Sequence, residues 1–228
     1  MMIYQCDLRL QDNVFFATRE IGGLYETEKY LHNWALSFAF FETDYIPRPY
    51  RLKGKTVQEL TYELTYLDSN QEQSLFHLNQ ARIYVFPALP ISWSYQVNTL
   101  ESVPYHPECS NIKVKELAVG SHFKTYVFAP HEITIPHWIR LGKWSAKIKV
   151  ETSILSEFKE KSGEYISKHP VNPIDLSRTT KLLLYNRIFM SPSSLLSQAQ
   201  LIGDYYQLPD HTCLPRGVGY GASTGILS

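Results

Sequence analysis

The sequence predicts an α+β fold in which an antiparallel sheet carries helices on one face. Strand-like and helix-like segments are interspersed along the chain, and the strand-like segments come in hairpin-like runs. Within these runs apolar and polar residues alternate, as expected for strands with one buried and one exposed face. A ferredoxin-like (RRM-like) antiparallel sheet with an irregular insertion fits this order of elements best.

The first half of the chain is predicted to hold a strand, a long helix and a second strand. Residues 3–12 alternate cleanly, which predicts a half-buried strand with Cys6 and Leu8 on its buried face. After a pair of glycines, aromatic residues three or four positions apart predict a helix over 25–41. A second strand is predicted over 81–89. The proline-rich residues that follow have little periodicity, so we expect an irregular insertion over about 88–122.

Strands and helices continue to alternate in the second half. Strands are predicted over 123–128, 133–135 and 181–189, and helices over 153–166 and 191–206. Ser191 is a natural N-cap and Pro192 suits the first helical position, which favours the start of a last helix there.

Length and composition predict one folding unit over residues 1–228, with 44% apolar and 19% charged residues. No stretch approaches the ~20 consecutive apolar residues that cross a bilayer, and the first residues lack a signal-peptide pattern. We therefore expect a cytoplasmic protein that has no membrane partner. The three cysteines lie far apart without a C-x-x-C pair, which favours neither a disulfide framework nor a zinc site.

The net charge is zero, but it is divided into acidic and basic blocks. Residues 45–55 carry four cations and no acid, and residues 111–149 carry seven cations and two acids. Such segregation suits a protein that holds an anion on one face and protein neighbours on others. Alternatively, the blocks neutralise one another in the fold.

The stretch Arg140 to Glu151 reads as a strand with two different faces. Ser145, Lys147 and Lys149 point one way, and Ala146, Ile148 and Val150 point the other. Phosphates are met by cations and bases stack on aromatic rings, and two tryptophans, Trp138 and Trp144, are interleaved here. Gly142 would let a sugar-phosphate chain approach the backbone. The alternative interpretation is a solvated sheet face with an ordinary turn glycine.

Two further features were weighed for function. The tail from Leu214 to Gly225 is rich in glycine and lacks the strand and helix that a dinucleotide fingerprint requires; together with Arg216 it is either an RNA-backbone contact or a flexible tail. The eight histidines show no metal-binding spacing, and each is expected to be structural rather than catalytic. The sequence therefore predicts no metal and no cofactor.

The segment Asn13 to Leu36, the stretch PHWIRLGKW and the late LPRGVGYG together resemble a known family. It is the Cas-five-type RNA-binding (RAMP) subunit of type I-D CRISPR surveillance complexes. The resemblance covers the first strand and helix and the cationic strand, and it hardly extends to residues 45–130.

The resemblance implies a non-catalytic protein in a ribonucleoprotein complex for antiviral defence. A ferredoxin-like domain would grip the 5′ handle of the crRNA and cap the backbone subunits, and a thumb over residues 88–122 would protrude from it. Its partners would be the crRNA, the backbone and large subunits and, indirectly, the target DNA. The implied RNA-binding residues are Arg19, Arg140, Lys143, Lys147, Lys149 and Arg216.

Two other functions stay open at this point. The first is a metal-independent endoribonuclease that processes precursor crRNA, with His122, His131 or His137 as its general base. The second is a structural adaptor whose charge blocks bind neighbouring proteins.

Overall fold

The computed structural model describes residues 1–41, 52–53, 61–62, 75–100 and 112–222. These residues form a mostly β structure, so the predicted α+β ferredoxin-like fold is wrong. The two helices of the described residues are short, α1 from Asn33–Phe40 and α2 from Phe76–Gln80. The strands are β1 Met2–Leu10, β2 Arg19–Ile21, β3 Leu24–Glu26, β4 Leu52–Lys53, β5 Thr61–Tyr62, β6 Tyr84–Val85, β7 Leu89–Ser92, β8 Tyr95–Leu100, β9 Ile112–Leu117, β10 His122–Ala129, β11 Trp138–Leu141, β12 Ala146–Leu155, β13 Lys159–Ser167, β14 Lys181–Ile188, β15 Leu195–Gln207 and β16 Cys213–Pro215.

The largest sheet is antiparallel, in the order β11-β12-β1-β10-β6, and β7 also pairs with β10. The predicted alternation of β1 is confirmed, because Cys6, Leu8 and Leu10 are fully buried on one face. Leu36 and Phe40 of α1 pack into the same core. This inner face therefore seals the main hydrophobic interior of the described chain.

One part of the opposite face of the large sheet is covered by the C-terminal part of the chain, and the other part is open. Phe86, Tyr126 and Phe128 pack there against Tyr206 and Tyr220 from the C-terminal part of the chain. The open part carries polar side chains and one exposed tryptophan, Trp138, and it positions the candidate site described below.

The small sheet β2-β3-β9-β8 replaces the first part of the predicted long helix. Gly22 and Gly23 both have positive φ and form the two-residue turn of the β2-β3 hairpin. Glu26 then lies between Arg19 and Lys115 and forms ion pairs with both. Because β3 is pinned to its neighbours in this way, only eight residues near the end of the aromatic segment, Asn33–Phe40, are helical.

The insertion predicted to be irregular contains regular strands. Within 88–122 the structure has β7 and the antiparallel hairpin β8-β9, so irregularity is wrong for the described residues of this region. Residues 101–111 lie outside the described residues, as does most of the cationic segment 45–55. The thumb assignment stays a prediction.

The two helices predicted in the second half of the chain are wrong, because their residues lie largely in the C-terminal sheet β13-β15-β14, in which β16 also pairs with β15. Residues 153–166 are the end of β12, a turn and most of β13, and residues 195–206 belong to β15. Gln198 has a φ of +50° in the middle of β15, which shifts the inward-facing side chains from Leu196 to Ala199. The helix start predicted from Ser191 and Pro192 is therefore wrong, because the segment that follows is a strand whose two-residue period is broken at Gln198.

Of the three strands predicted in the second half of the chain, two are confirmed and one is wrong. The strand over 181–189 is confirmed as β14 and the strand over 123–128 as the centre of β10. The strand over 133–135 is wrong, because these residues are irregular and only Ile135 among them is buried in the core.

Candidate nucleic-acid interface

The open polar part of the large sheet contains a row of side chains that crosses four strands. Trp138 of β11 is paired in register with Lys149 of β12, which is paired with Arg9 of β1, and Arg9 is paired with His122 of β10. Residues opposite one another in neighbouring strands project from the same face. With strands about 4.8 Å apart, the row is ~14 Å long.

We call this open part the outer face. It consists of the side chains Asp7, Arg9, His122, Lys124, Trp138, Arg140, Lys147, Lys149 and Glu151. Five of these are Arg or Lys and two are carboxylates. A third carboxylate, Asp12, lies 3.9 Å from Arg140, so the surface keeps an excess of cations. The prediction that the strand containing Lys147 and Lys149 turns its apolar residues inward is confirmed, since Ala146, Ile148 and Val150 are buried.

Lys149 is paired with a carboxylate of the same face. Its Nζ lies 2.8 Å from Oε1 of Glu151, and this hydrogen bond and charge lower the pKa of Glu151. Both side chains are about half exposed, and ion pairs in such positions contribute little to stability. The pair can therefore open at small cost when a phosphate competes for the ammonium.

Lys147 rests on the ring of Trp138. The distance from Nζ to the ring centroid is 4.2 Å, which is a cation–π contact. Trp138 is 46% exposed although its ring is large and apolar. An exposed indole beside an ammonium group offers one surface for a base and one charge for a phosphate.

His122 lies at the other end of the row and is bonded to Asp7. The distance from Nε2 to Oδ1 of Asp7 is 2.9 Å, and both side chains are partly exposed. Asp7 holds one ring nitrogen of His122, and Arg9 and Lys124 project from the same face beside the pair.

Lys143 stands at the edge of the outer face, in the turn from β11 to β12. Gly142 in this turn has a φ of +79°, and a Cβ there would lie 2.8 Å from the carbonyl oxygen of Phe15. The ring of Phe15 in turn stacks on Trp144, with centroids 4.6 Å apart. Gly142 is therefore needed for packing against the chain itself, and this corrects the prediction that it makes room for RNA.

The other two predicted RNA-binding residues lie on different sheets. Arg19 of β2 forms ion pairs with Glu26 and Glu28. Arg216, next to β16, lies 2.9 Å from Glu160 and over the ring of Tyr206. The structure thus brings together Arg140, Lys143, Lys147 and Lys149, and it does not bring Arg19 or Arg216 to the same surface.

The glycine-rich tail is packed into the fold up to residue 222. The backbone N–H of Gly221 donates to Oδ1 of Asp175 and that of Gly219 to the carbonyl oxygen of Asp175. Tyr220 between them is fully buried, and its hydroxyl accepts from the N–H of Val85. In the described residues this segment is neither flexible nor open to RNA backbone through these N–H groups.

Two histidines are buried and have structural roles. His32 caps α1 by accepting from the N–H of Trp34, and His169 lies 2.8 Å from the carbonyl oxygen of Pro87. Burial lowers the pKa of each to about 3, so both stay neutral near neutral pH.

Arg9 and Lys124 are the two cations of the outer face that the sequence analysis did not include among the RNA-binding residues. Neither has an ion-pair partner among the described residues. The alternation of β1 does place Arg9 on the polar face, but the register that sets it beside Lys149 and His122 joins segments more than 100 residues apart. No local pattern carries that information.

No group of three or more His, Cys, Asp or Glu side chains suitable for a metal ion occurs in the described part of the chain. Nor do the described residues contain a helix that is long and apolar enough to cross a membrane.

An antiparallel sheet with a cationic face that carries an exposed aromatic ring is typical of proteins that bind single-stranded nucleic acid. The chain belongs to the family described as Type I-D CRISPR-associated protein Cas5/Csc1, whose model matches residues 1–223. It is thus a CRISPR-associated protein of the Cas5 type, as the sequence resemblance had suggested.

Two solved structures are similar to the chain at low sequence identity. A CRISPR protein from Archaeoglobus fulgidus is 10% identical, with 95% of this chain and 100% of that chain covered and a TM-score of 0.41. A chain of the Type III-B Cmr-beta complex, bound to cognate target RNA and AMPPnP, is 8% identical, with coverages of 87% and 86% and a TM-score of 0.40. Among curated proteins, none matches the chain.

Proposed function

We propose that this protein is the non-catalytic subunit that binds the 5′ handle of the crRNA in a type I-D CRISPR effector complex and caps one end of its backbone subunits. Through that complex it contributes to the targeting of invading DNA. The single observation that supports the RNA contact best is the row from Trp138 through Lys149 and Arg9 to His122.

The row has the dimensions and chemistry of a platform for a single strand. It crosses four strands, and the four-stranded sheets of RRM domains present two or three bases on a comparable surface. Trp138 would stack a base at one end, while Lys149, Arg9 and Lys124 would meet successive phosphates. Arg140, Lys143 and Lys147 would extend the cationic surface along β11 and its turn.

Rearrangement of side chains would complete the site. Lys147 covers part of the Trp138 ring, and Lys149 is held by Glu151. A nucleotide would take the ring face, release Lys147 to a phosphate and compete with Glu151 for Lys149. Because all four groups are solvent-exposed or nearly so, none of these exchanges disturbs the hydrophobic core.

The test is a double charge reversal, Lys147→Glu with Lys149→Glu. Two repulsive charges should weaken binding of a labelled RNA that carries the handle by roughly ten-fold or more, and the salt dependence should become shallower. The matched control is Lys159→Glu with Lys161→Glu, which makes the same change at alternate exposed positions of β13. An equal loss in both variants, or no loss in the first, would contradict the proposal.

A second candidate function is favoured by one observation, the His122–Asp7 contact on the same face. A histidine held by a carboxylate beside cations is the arrangement of a general base for metal-independent RNA cleavage. Incubation of labelled repeat RNA without metal distinguishes the two functions. Product that accumulates with the wild type and disappears with His122→Ala would favour the nuclease, whereas we expect intact RNA with both.

A further inference from the structure

One edge of the C-terminal sheet is both open and apolar. β14 pairs with β15 on one side, and in the described residues no strand pairs with its other side. Leu183, Leu184 and Tyr185 are all exposed, Leu184 by 68%, and Phe189 follows with 62%. A strand with exposed leucines and an unpaired edge is a template for another strand, and proteins normally block such edges with charges or prolines.

β14 lies outside the core that the sheet covers. That core is formed by Tyr165 of β13 and by Ala199 and Leu201 of β15. On the opposite surface Ile166, Gln200 and Leu184 lie in one register row across β13, β15 and β14, and both Ile166 and Leu184 are exposed. An added strand would continue this row and cover its apolar side chains.

The charges around β14 indicate what kind of chain would pair with it. Residues 176–203 carry Arg178, Lys181 and Arg187 and contain no Asp or Glu. Lys181 and Arg187 lie near the two ends of the strand. A second copy of this chain, paired antiparallel about the middle of β14, would place Lys181 of each copy close to Arg187 of the other, and this repulsion disfavours self-association.

We propose that β14 is a docking edge for an extended segment of a companion protein subunit, with apolar side chains at its centre and carboxylates at its ends. The main-chain groups of β14 supply hydrogen bonds, its leucines supply apolar contact, and its terminal cations set the register. The inference rests on the assembly part of the proposed function and assigns a surface to it. The centre of β14 suits a protein segment better than RNA, because its three successive leucines offer neither a phosphate ligand nor a planar ring, and the pair of Arg187 over the Phe189 ring lies at the end of the strand.

The experiment places a photoreactive benzoyl-phenylalanine at position 184 of the full chain in the ribonucleoprotein complex purified with its companion subunits. A matched probe goes at position 119, where Val119 is also exposed but lies in a turn of another region. We expect position 184 to cross-link to an apolar segment of a companion subunit with an Asp or Glu nearby, and position 119 not to do so. A cross-link to RNA, a cross-link to a second copy of the chain, or a yield no greater than at position 119 would overturn the proposal.

A substitution gives an independent readout. Leu184→Glu should reduce the companion subunit retained by the chain about ten-fold, as expected for the loss of one central contact. RNA binding by the isolated variant should equal that of the wild type, so a failure of docking is distinguishable from a failure of RNA recognition. The same substitution at Val119 is the control. Equal retention by both variants would contradict the assignment of β14.

Discussion

The outer face and the polar cluster around Asp175 use charged groups in opposite ways. In the Asp175 cluster the carboxylate is fully buried and accepts four hydrogen bonds, from Asn33 Nδ2 at 2.7 Å, Gly221 N at 2.8 Å, Tyr84 OH at 3.1 Å and Trp34 Nε1 at 3.2 Å. On the outer face Arg9 and Lys124 have no ion-pair partner among the described residues, and Arg140 and Lys149 each have one exposed partner.

This difference separates groups that hold the fold from groups that are available to a ligand. Every oxygen of Asp175 is engaged, and its donors connect α1, β6 and the glycine-rich tail, so the cluster stabilises the chain and offers nothing to a partner. The cations of the outer face gain little stability from contacts with their own chain. They can therefore exchange these contacts for contacts with phosphate oxygens. A buried carboxylate whose oxygens are all hydrogen-bonded indicates a structural role, whereas an excess of exposed cations indicates a binding surface.

The largest expected effect is on stability, from Asp175→Ala. The change removes the shared acceptor of three side-chain donors and of the N–H of Gly221 in a buried site, which should lower the free energy of unfolding by about 3 kcal/mol or more. Urea unfolding measures it. Glu160→Ala, which removes an exposed carboxylate paired with Arg216, should cost well under 1 kcal/mol, and equal losses in the two variants would refute the contrast.

The next largest expected effect is on the pH dependence of the protein's stability. Burial lowers the folded-state pKa of His32 and His169 to about 3, so each contributes stability that is present above their unfolded pKa of about 6.5 and is lost as the pH falls toward 3. Burial raises the pKa of Asp175 to about 6, which acts in the opposite direction: its stability is present below about pH 4 and is lost as the pH rises through 6. Two histidines outweigh one carboxyl, so acidification should destabilise the protein.

His169→Gln isolates one of these terms, because a glutamine amide can still donate to the carbonyl oxygen of Pro87. The loss of stability between pH 7 and pH 5 should be smaller in this variant than in the wild type by about 2 kcal/mol. Urea unfolding at the two pH values gives the difference. If His169→Gln keeps the pH dependence of the wild type, the burial of His169 does not cause the loss of stability in acid.

The smallest effect compares two tryptophans that each lie under a lysine. Trp138 has Lys147 at 4.2 Å and Trp93 has Lys29 at 4.8 Å, and their exposures are 46% and 42%. Only Trp138 lies on the outer face. Trp138→Ala should weaken RNA binding by about 1 kcal/mol, which is the loss of one stacked base, with little change in salt dependence. Trp93→Ala should have no effect in the same binding titration, and an equal loss there would show that stacking is not specific to the outer face.

Part of the fold was predictable from local sequence and part was not. The alternation of residues 3–10 and 146–150 correctly predicts which side chains of β1 and β12 are buried, because successive side chains of a strand point to opposite faces of the sheet. The helix predicted over 191–206 was wrong because Ser191 and Pro192, which suit a helix start, are followed by a strand whose period is broken by the positive φ of Gln198. The prediction of a long helix was wrong because Glu26 forms ion pairs with Arg19 and Lys115, which lie on other strands and are not evident from the local sequence.

The residues of the candidate site likewise fall into those that local sequence predicts and those that depend on the pairing of distant strands. Arg140, Lys147 and Lys149 were predictable because they lie in one hairpin, where the cross-strand neighbours are near in sequence. Arg9 and Lys124 enter the surface only through the pairing of β1 with β10 and β12, which is set by the packing of the whole core. The resemblance implied Arg19 and Arg216 from their charge and their position in its motifs, and the structure places them beside carboxylates of other sheets.

The most direct test of the outer face uses the two cations that lie in the middle of the sheet, Arg9 and Lys124. The double variant Arg9→Gln with Lys124→Gln removes charge without adding a repulsive group. Its affinity for single-stranded handle RNA should be measured over a range of salt concentrations beside that of the wild type. If two phosphates are lost from the contact, the slope of log affinity against log salt should become shallower by about 1.4. An unchanged slope and affinity would mean that the RNA does not cross these strands, and the outer face would not be the binding surface.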